Sequence, residues 1–451
     1  MMKKLFLISV KLIISIIFAI TAYADECPEP TSVSITIPFS PNPVGSGARA
    51  LGYSAFIAVA DDATAASWNP GALIQLKNPE ASIVGNWFYR NEDNSFAGHP
   101  EAEGSHDISD QDINYLSFAY PFRLYNRNMI VSLNYQRLYD FTRELSFDFK
   151  EQSKNNETGE PIPDFYADED IHQQQSGNLS AIGLAYSFEI IPQSLSFGFT
   201  FNIWDDELCD NKWKQKYSFS ATYVEKGETI GEGSFNINHK FIFDGYNFNL
   251  GMLWHSQNRK LSIGAVFKSP FTADLRHEFD PEQTDCEPII MNKKLEMPMS
   301  YGLGIAYRFS DNFTVAGDVY RTHWDDFIIE EEDGTETSAV TAKPIDETDV
   351  DPTIQARLGA EYLFINKTSN YVIPLRGGLF FDPAPAEGNP DDYYGLSIGS
   401  GFAKGRYIFD IAAQYRFGRD VGDSVYPNYE FSQDVDEVTI YMSLVIHLDY
   451  W

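Results

Sequence analysis

Four arginines are the residues of this sequence best suited to bind an anionic ligand. Each lies in a segment where apolar and polar residues alternate, and each falls on the polar side of that segment. They are Arg308, Arg357, Arg376 and Arg416. A guanidinium in an otherwise apolar pocket holds a carboxylate through charge-assisted hydrogen bonds. The alternative is that each arginine pairs with a carboxylate on the same side, such as Glu361, Asp318 or Asp410; Lys268 is a further candidate near the end of its segment.

Catalytic and metal-binding motifs are sparse. The eight histidines are scattered, and the sequence has neither an H-E-x-x-H nor a C-x-x-C motif. His447 and Asp449 share one side of the last alternating segment, where a histidine more often hydrogen-bonds than catalyses. No D-x-D-x-D-G spacing supports a calcium site. The sequence therefore predicts no enzyme, no cofactor and no metal site.

The last fourteen residues, 438–451, indicate what kind of element carries these side chains. They alternate almost without a break, with Val445 the one apolar residue on the polar side. Strands of soluble sheets usually alternate over four to eight residues, whereas a membrane-spanning strand needs roughly 9–11. An apolar side facing lipid and a polar side facing a lumen explain the pattern. We interpret these residues as the closing strand of a transmembrane β-barrel.

Alternating segments recur along the chain from about residue 80. Short and long connections follow one another between them, as periplasmic turns and extracellular loops do in barrels. Fourteen strands are predicted, or sixteen if an extra hairpin lies around residues 205–211. The segments are 81–89, 114–122, 129–149, 179–188, 195–224, 233–254, 261–277, 297–309, 313–327, 353–364, 371–381, 393–403, 407–417 and 438–450.

The alternation assigns side chains to the two sides of the wall. In residues 301–309 the apolar set, from Tyr301 to Phe309, faces lipid, and Gly302, Gly304, Ala306 and Arg308 face the lumen. A charge on the lipid side near the midplane would cost about 2–4 kcal/mol. The charged or polar residues placed in the lumen on other strands are Asp318, Arg357, Glu361, Arg376, Asp410, Gln414, Arg416 and His447.

The amino terminus and the charge predict an exported protein. Lys3 and Lys4 precede an apolar stretch that is too short to span a bilayer, so residues 1–24 are predicted to be a signal peptide; the alternative is a retained anchor. A net charge of −32 excludes nucleic acid as a partner. The acidic residues crowd a few segments, which are interpreted as solvated loops or as sites where divalent cations bridge to anionic lipid headgroups.

Three cysteines cannot form a disulfide framework. Cys27 lacks a lipobox. One bridge between exported loops can form, with Cys209–Cys286 the favoured pair, and the alternative is that no bridge forms.

Residues 25–79 do not alternate. They are rich in glycine and alanine and contain a turn signal at Asn69, Pro70 and Gly71. Such a segment ahead of a barrel is predicted to plug its lumen; the alternative is a periplasmic extension. The predicted organisation is a signal peptide (1–24), a plug (25–79) and a barrel (80–451).

Several stretches resemble the FadL-type outer-membrane transporters of long-chain fatty acids and aromatic hydrocarbons. They are G-A-R-A-L-G at 47–52, A-V-A-D-D-A-T-A-A-S-W-N-P-G-A-L at 58–73, F-D-G-Y-N-F-N-L-G-M-L-W at 243–254, M-P-M-S-Y-G-L-G-I-A-Y-R-F-S-D-N at 297–312 and P-L-R-G-G-L-F-F-D-P-A-P at 374–385. They follow the family's order over most of the chain after residue 24.

The resemblance implies an all-β fold, a fourteen-stranded antiparallel barrel with an N-terminal hatch in its lumen. It implies capture of a hydrophobic small molecule or fatty acid, hatch movement around Asn69, Pro70 and Gly71, and release through a gap beside a kinked third strand. Residues 129–149 contain no glycine or proline, so that gap is not predicted here. A monomer in contact with outer-membrane lipids of a Gram-negative bacterium is expected. The rival hypotheses are a diffusion porin and a docking or shuttle factor for secreted proteins.

Overall fold

A computed structural model describes residues 27, 30, 33–38, 40, 45–154, 161–282, 286–426 and 430–448. The predicted signal peptide and residues 449–451 lie outside these ranges. The described helices are α1 (Ala48–Tyr53), α2 (Ala65–Trp68) and α3 (Asp206–Cys209), with 3₁₀ turns at Pro70–Gln75, Pro100–Ala102, Trp324–Asp326 and Ile345–Glu347. None of these helices is long and apolar enough to span a membrane.

Strands make up most of the described chain. They are β1 (Glu80–Phe96), β2 (Gly104–Leu124), β3 (Arg127–Asp140), β4 (Arg143–Lys154), β5 (Pro161–Ile191), β6 (Leu195–Trp204), β7 (Lys212–Glu225), β8 (Glu228–His255), β9 (Leu261–Lys268), β10 (Phe271–Asp280), β11 (Ile289–Met297), β12 (Ser300–Arg308), β13 (Phe313–Thr322), β14 (Ile328–Glu330), β15 (Glu336–Ser338), β16 (Thr353–Asn366), β17 (Tyr371–Phe381), β18 (Tyr393–Lys404), β19 (Tyr407–Val421) and β20 (Phe431–His447).

The strands close into a barrel, as the alternation predicted. β1 pairs with β2 on one side and with β20 on the other, so that Glu80 lies opposite His447 and Phe96 opposite Phe431. The circuit contains 14 antiparallel strands: β1, β2, β3, β5, β6, β8, β9, β12, β13, β16, β17, β18, β19 and β20. Closure pairs both edges of every wall strand, which a sheet needs in order to lie in lipid.

The remaining strands extend this wall at the end away from His447. β4, β7 and β10 continue β3, β6 and β9, while β11 leads down into β12. The alternative of sixteen strands is wrong. At residues 205–211 the chain forms α3 rather than a hairpin, because the Asp205 carboxylate accepts a hydrogen bond from Leu208 N (2.9 Å) and caps one helical turn.

The two faces of β12 match the predicted alternation over most of its length. Leu303 and Ile305 point outward and are 65% and 53% exposed, whereas Ala306 is 3% exposed and faces the interior. At the last position the pattern ends: Arg308 is exposed at the turn into β13. The exposed apolar residues of successive strands form the surface that lipid would cover.

The disulfide differs from the predicted one. Cys27 bonds to Cys286 in the connection between β10 and β11, and Cys209 is a buried free thiol. Cys209 ends α3, which holds it against the wall below the extended sheet. The bridge could not be derived from sequence because its two cysteines are 259 residues apart and only the tertiary structure brings them together.

Candidate functional site

Residues 45–79, here called the hatch, lie inside the barrel. Phe56, Ile57, Trp68 and Leu73 are at most 2% exposed. They form one apolar cluster with wall residues that are mostly small or aliphatic, namely Ala119, Ile130, Ala185, Leu253, Val266 and Tyr320. The small inward residues of the wall therefore leave room that the hatch occupies.

The predicted turn of the hatch rests on glycines of the wall. A Cβ on Gly71 would lie 2.5 Å from Gly251 O, and one on Gly251 would lie 2.7 Å from Pro70 Cδ. A Cβ on Gly198 would lie 2.7 Å from Gly71 N. The turn thus approaches the backbone of β6 and β8 more closely than any side chain would permit.

Hydrogen bonds hold the same turn. Asn69 Nδ2 donates to Ile57 O (2.7 Å) and to Met252 O (3.1 Å), and Gly71 O accepts from Ser196 Oγ (2.8 Å). Among the described residues, the buried Asn69 Oδ1 and Trp68 Nε1 have no hydrogen-bond partner. Each such group costs about 1–3 kcal/mol, so the seated turn carries unfavourable terms beside its favourable contacts.

The opposite side of the hatch is attached to β12–β18. The Asp318 carboxylate accepts hydrogen bonds from Phe56 N (2.6 Å) and Ile57 N (2.9 Å). Arg49 donates to Glu361 (3.3 Å) and also pairs with Asp61 inside the hatch. These attachments are polar and buried, and none of them is covalent.

One lipase-like motif belongs to this attachment. Residues 395–399 read G-L-S-I-G, a G-x-S-x-G sequence, but they lie within β18 rather than at a strand-to-helix turn. Ser397 Oγ donates to Gly52 O (3.0 Å) and lies 2.7 Å from Ser54 Oγ. Ser397 therefore anchors the hatch.

Three of the four predicted arginines form ion pairs with wall carboxylates. Arg376 bonds to Glu361 (2.7 Å) and Asp410 (2.5 Å). Arg416 bonds to Glu437 (2.9 Å) and lies 3.3 Å from Asp382, which is also 3.7 Å from Arg357. The fourth, Arg308, lies apart from these, exposed at the opposite end of the wall.

A packed apolar cluster, here called the chamber, lies on the other side of the lumen, beyond the hatch. It is rich in aromatic residues, with Phe141, Trp204, Trp213, Phe243 and Trp324 each at most 3% exposed. A cleft that is partly open to solvent adjoins this cluster and shares Trp204 and Met297 with it. Asn202, Asn247 and Asn249 also line the cleft, so its lining is mixed.

Lys268 brings a positive charge into the cleft. It is the last residue of β9 and lines the cleft with Tyr139 and Tyr320. Its Nζ lies 5.0 Å from the ring centroid of Trp68 on the hatch. Within the described ranges it has no carboxylate partner, in contrast to Arg357, Arg376 and Arg416. The sequence alone does not distinguish the unpaired Lys268 from the paired arginines, because ion pairing depends on which side chains the neighbouring strands place opposite each cation.

The wall beside the cleft is interrupted at the third strand. β3 ends at Asp140 and β4 begins at Arg143, although neither glycine nor proline occurs there. The Asp140 carboxylate accepts a hydrogen bond from Thr142 N (2.8 Å), and Phe141 stacks on Trp213 with centroids 4.7 Å apart. An Asx-type turn and a buried ring replace the expected breakers. This interruption was not predicted from the sequence, where its one signal is the pair Asp140 and Thr142.

The interruption leaves part of β2 without its neighbour. The ladder between β2 and β3 ends where Tyr115 pairs with Gln136. The residues of β2 that precede Tyr115 pair only with β1 among the described strands. Arg137 spans this place: it contacts Asp110 on β2 (3.2 Å) and pairs closely with Asp112 and Asp140. Ion pairs replace backbone hydrogen bonds at this joint.

Replacing Arg137 with methionine should loosen the joint. Three carboxylates would lose their common cation, and because Asp110 and Asp112 are partly exposed the loss is about 1–2 kcal/mol. Amide hydrogen exchange at residues 110–114 and 137–143 should accelerate on the order of tenfold. Arg123→Met, on the exposed bond to Asn128, is the control. Unchanged exchange at both segments would show that Arg137 does not hold the joint.

No family model and no curated protein matches the sequence. Solved structures do match. A FadL homologue of Pseudomonas aeruginosa is 13% identical with a TM-score of 0.56, and the match covers 92% of this chain and 100% of that one. The Pseudomonas putida toluene transporter TodX is 14% identical with a TM-score of 0.51, covering 93% and 100%. This chain has the FadL/TodX-type fold.

In this FadL/TodX-type barrel, the structure confirms a hatch inside the lumen and a closed wall around it. The cleft is lined by residues of β3, β6, β8, β9, β12 and β13, whereas the ion-paired arginines lie on β16, β17 and β19. Among the described residues, Lys268 at the cleft has no carboxylate partner, whereas Arg357, Arg376 and Arg416 are matched.

Proposed function

We propose that the protein takes up hydrophobic compounds across the outer membrane by passive diffusion, and that its ligands include long-chain carboxylates such as fatty acids. The observation that carries the proposal is Lys268, which lines a cleft together with aromatic, aliphatic and uncharged polar side chains. The aromatic and aliphatic side chains would contact an alkyl chain, and an ammonium group binds the single charge of a fatty acid. Arg308, Arg357, Arg376 and Arg416 are weaker candidates, since three are ion-paired and one is exposed.

The hatch is the gate in this proposal. Its turn at Asn69, Pro70 and Gly71 meets β6 and β8 through glycine contacts and a few hydrogen bonds. The unpartnered Asn69 Oδ1 and Trp68 Nε1 reduce the net stability of the seated turn. The ammonium group of Lys268 faces Trp68 of the hatch. A ligand that binds Lys268 would therefore change a contact that the hatch makes with the wall.

The exit in this proposal leads to the bilayer. Leu138 and Tyr139 line the cleft, and the interruption of the third strand follows within three residues. A hydrophobic molecule leaving sideways at this joint would pass from the cleft into lipid, which solvates it better than water does. The ligand would then pass from the cleft through the joint into the membrane. In this proposal the protein acts as a monomer in the outer membrane.

Uptake of radiolabelled oleate tests the function. A Gram-negative strain lacking its own fatty-acid transporter should regain uptake when it expresses this chain at its surface, and toluene is the neutral comparison. Rescue with oleate supports the carboxylate class, whereas rescue with toluene alone restricts the ligand to hydrocarbons. Surface expression without rescue by either compound would contradict uptake, and a stable co-purifying protein would then favour a docking or shuttle factor.

A further inference from the structure

Residues 33–38, here called the strap, run through the barrel ahead of the hatch. Ile35 N donates to Ala339 O (2.7 Å), between β15 and β16, and Gln215 Nε2 on β7 donates to Ser34 O (3.2 Å). Arg90 on β1 donates to Pro38 O. Three separate parts of the wall therefore hold the strap across the lumen.

The strap places aliphatic side chains in the chamber. Ile35 is 3% exposed and belongs to the same buried cluster as Phe141, Trp204 and Trp213, and Ile37 packs against that cluster. Trp204 and Met297 of the cluster also line the cleft. Two isoleucines thus pack in the cluster that adjoins the cleft, and they present the kind of hydrocarbon surface that a hydrophobic ligand would.

The disulfide anchors the strap from above. Cys27 lies six residues before the strap and is bonded to Cys286, 259 residues further along the chain, between β10 and β11. The other end of the hatch continues into β1 at Glu80, beside the closing strand. The strap is therefore covalently linked to the barrel on both sides, through Cys27 before it and through Glu80 of β1 after it.

We propose that the strap is a tethered internal competitor for hydrophobic ligands, and that the Cys27–Cys286 bridge keeps it in the chamber. A tether confines Ile35 near its site at an effective concentration in the millimolar range or above. A ligand then binds only in the fraction of molecules whose strap has left, and its apparent affinity falls by that fraction. Opening the bridge or removing the isoleucine raises that fraction.

The competition differs from gating by the hatch turn. It acts in the outer chamber, and the hatch stays seated on β6 and β8 whether or not the strap is displaced. The inference depends on the proposed function only for the choice of a hydrophobic ligand, because occupancy of the chamber is measured without transport.

Quenching of tryptophan fluorescence by 1-bromododecane, a neutral probe, tests the strap in the full-length purified protein. Trp204, Trp213 and Trp324 lie in the chamber, so a bound bromoalkane quenches them on contact. Ile35→Ser and Cys27→Ser should each bind the probe about tenfold more tightly than the native chain. The native chain treated with a phosphine reductant should behave like Cys27→Ser.

Two variants serve as matched controls. Val33→Ser changes a strap residue outside the buried cluster, and Cys209→Ser removes the free thiol; neither should alter probe affinity. Equal affinity in the native chain, Ile35→Ser and Cys27→Ser overturns the proposal, as does tighter binding in Cys209→Ser to the same extent as in Cys27→Ser. Tighter probe binding by the two variants, without any rescue of oleate or toluene uptake by the native chain, would support the competition by the strap and reject the proposed function.

Discussion

Valine in place of Gly198 should unseat the hatch and leave a folded, leaking barrel. A Cβ at this position would lie 2.7 Å from Gly71 N. The clash is with hatch backbone, which cannot move aside by changing a side-chain rotamer. Overpacking of this kind costs about 3 kcal/mol, roughly a hundredfold shift from seated to unseated hatch. β6 itself should form normally, because valine is well suited to strands.

Conductance in planar bilayers and sensitivity of cells to vancomycin measure the leak. The native chain should conduct little, and Gly198→Val should conduct steadily and admit the antibiotic. The control is Gly377→Val on β17, where the nearest atom, Ser397 O, lies 3.6 Å from an added Cβ. Heat-modifiable migration in gels establishes that each barrel is folded. A folded Gly198→Val barrel with native conductance would refute the close seating of the turn.

Lys268→Met should abolish the preference for acids while leaving hydrocarbons bound. A hydrogen bond to a charged group contributes about 1.5–3 kcal/mol, so oleate affinity should fall about 10–100-fold. Methionine retains much of the apolar length of the lysine, and the affinity for a neutral alkene of similar length should stay within about twofold.

Binding measured by calorimetry in detergent provides the comparison. Lys294→Met is the matched control, because the Lys294 side chain is 55% exposed and its ion pair with Glu330 is long, at 4.0 Å. Equal losses for oleate and the alkene would mean that Lys268 supports the cleft rather than the carboxylate. An unchanged oleate affinity would show that Lys268 does not bind the carboxylate, and the arginines would then be the candidates.

Much of the wall could be derived from the alternation of residues. In β12, Leu303 and Ile305 lie outward and Ala306 inward, as predicted, because the pleat of a strand sends successive side chains to opposite faces. The same rule placed Asp318, Arg357 and Arg376 in the lumen. It ended where the strand ended: Arg308, at the last position of β12, is exposed at the turn.

Pairing between strands was beyond that rule. Whether an inward cation is matched depends on what lies opposite it, and Arg376 meets Glu361 and Asp410 only through the register of β16, β17, β18 and β19. Lys268 has no such partner among the described residues. The interruption at Asp140–Thr142 contains neither glycine nor proline, because an Asx-type turn breaks the strand in their place.

The sequence by itself determined the closed antiparallel wall, the side of the wall that residues within the strands face, and the segment that cannot belong to the wall. These follow from local periodicity, which each strand carries in its own residues. Only the tertiary structure decided which cations are matched, where the third strand is interrupted and that Cys27 bonds to Cys286 rather than Cys209 to Cys286. Those outcomes depend on contacts between residues tens to hundreds of positions apart, and no local pattern specifies them.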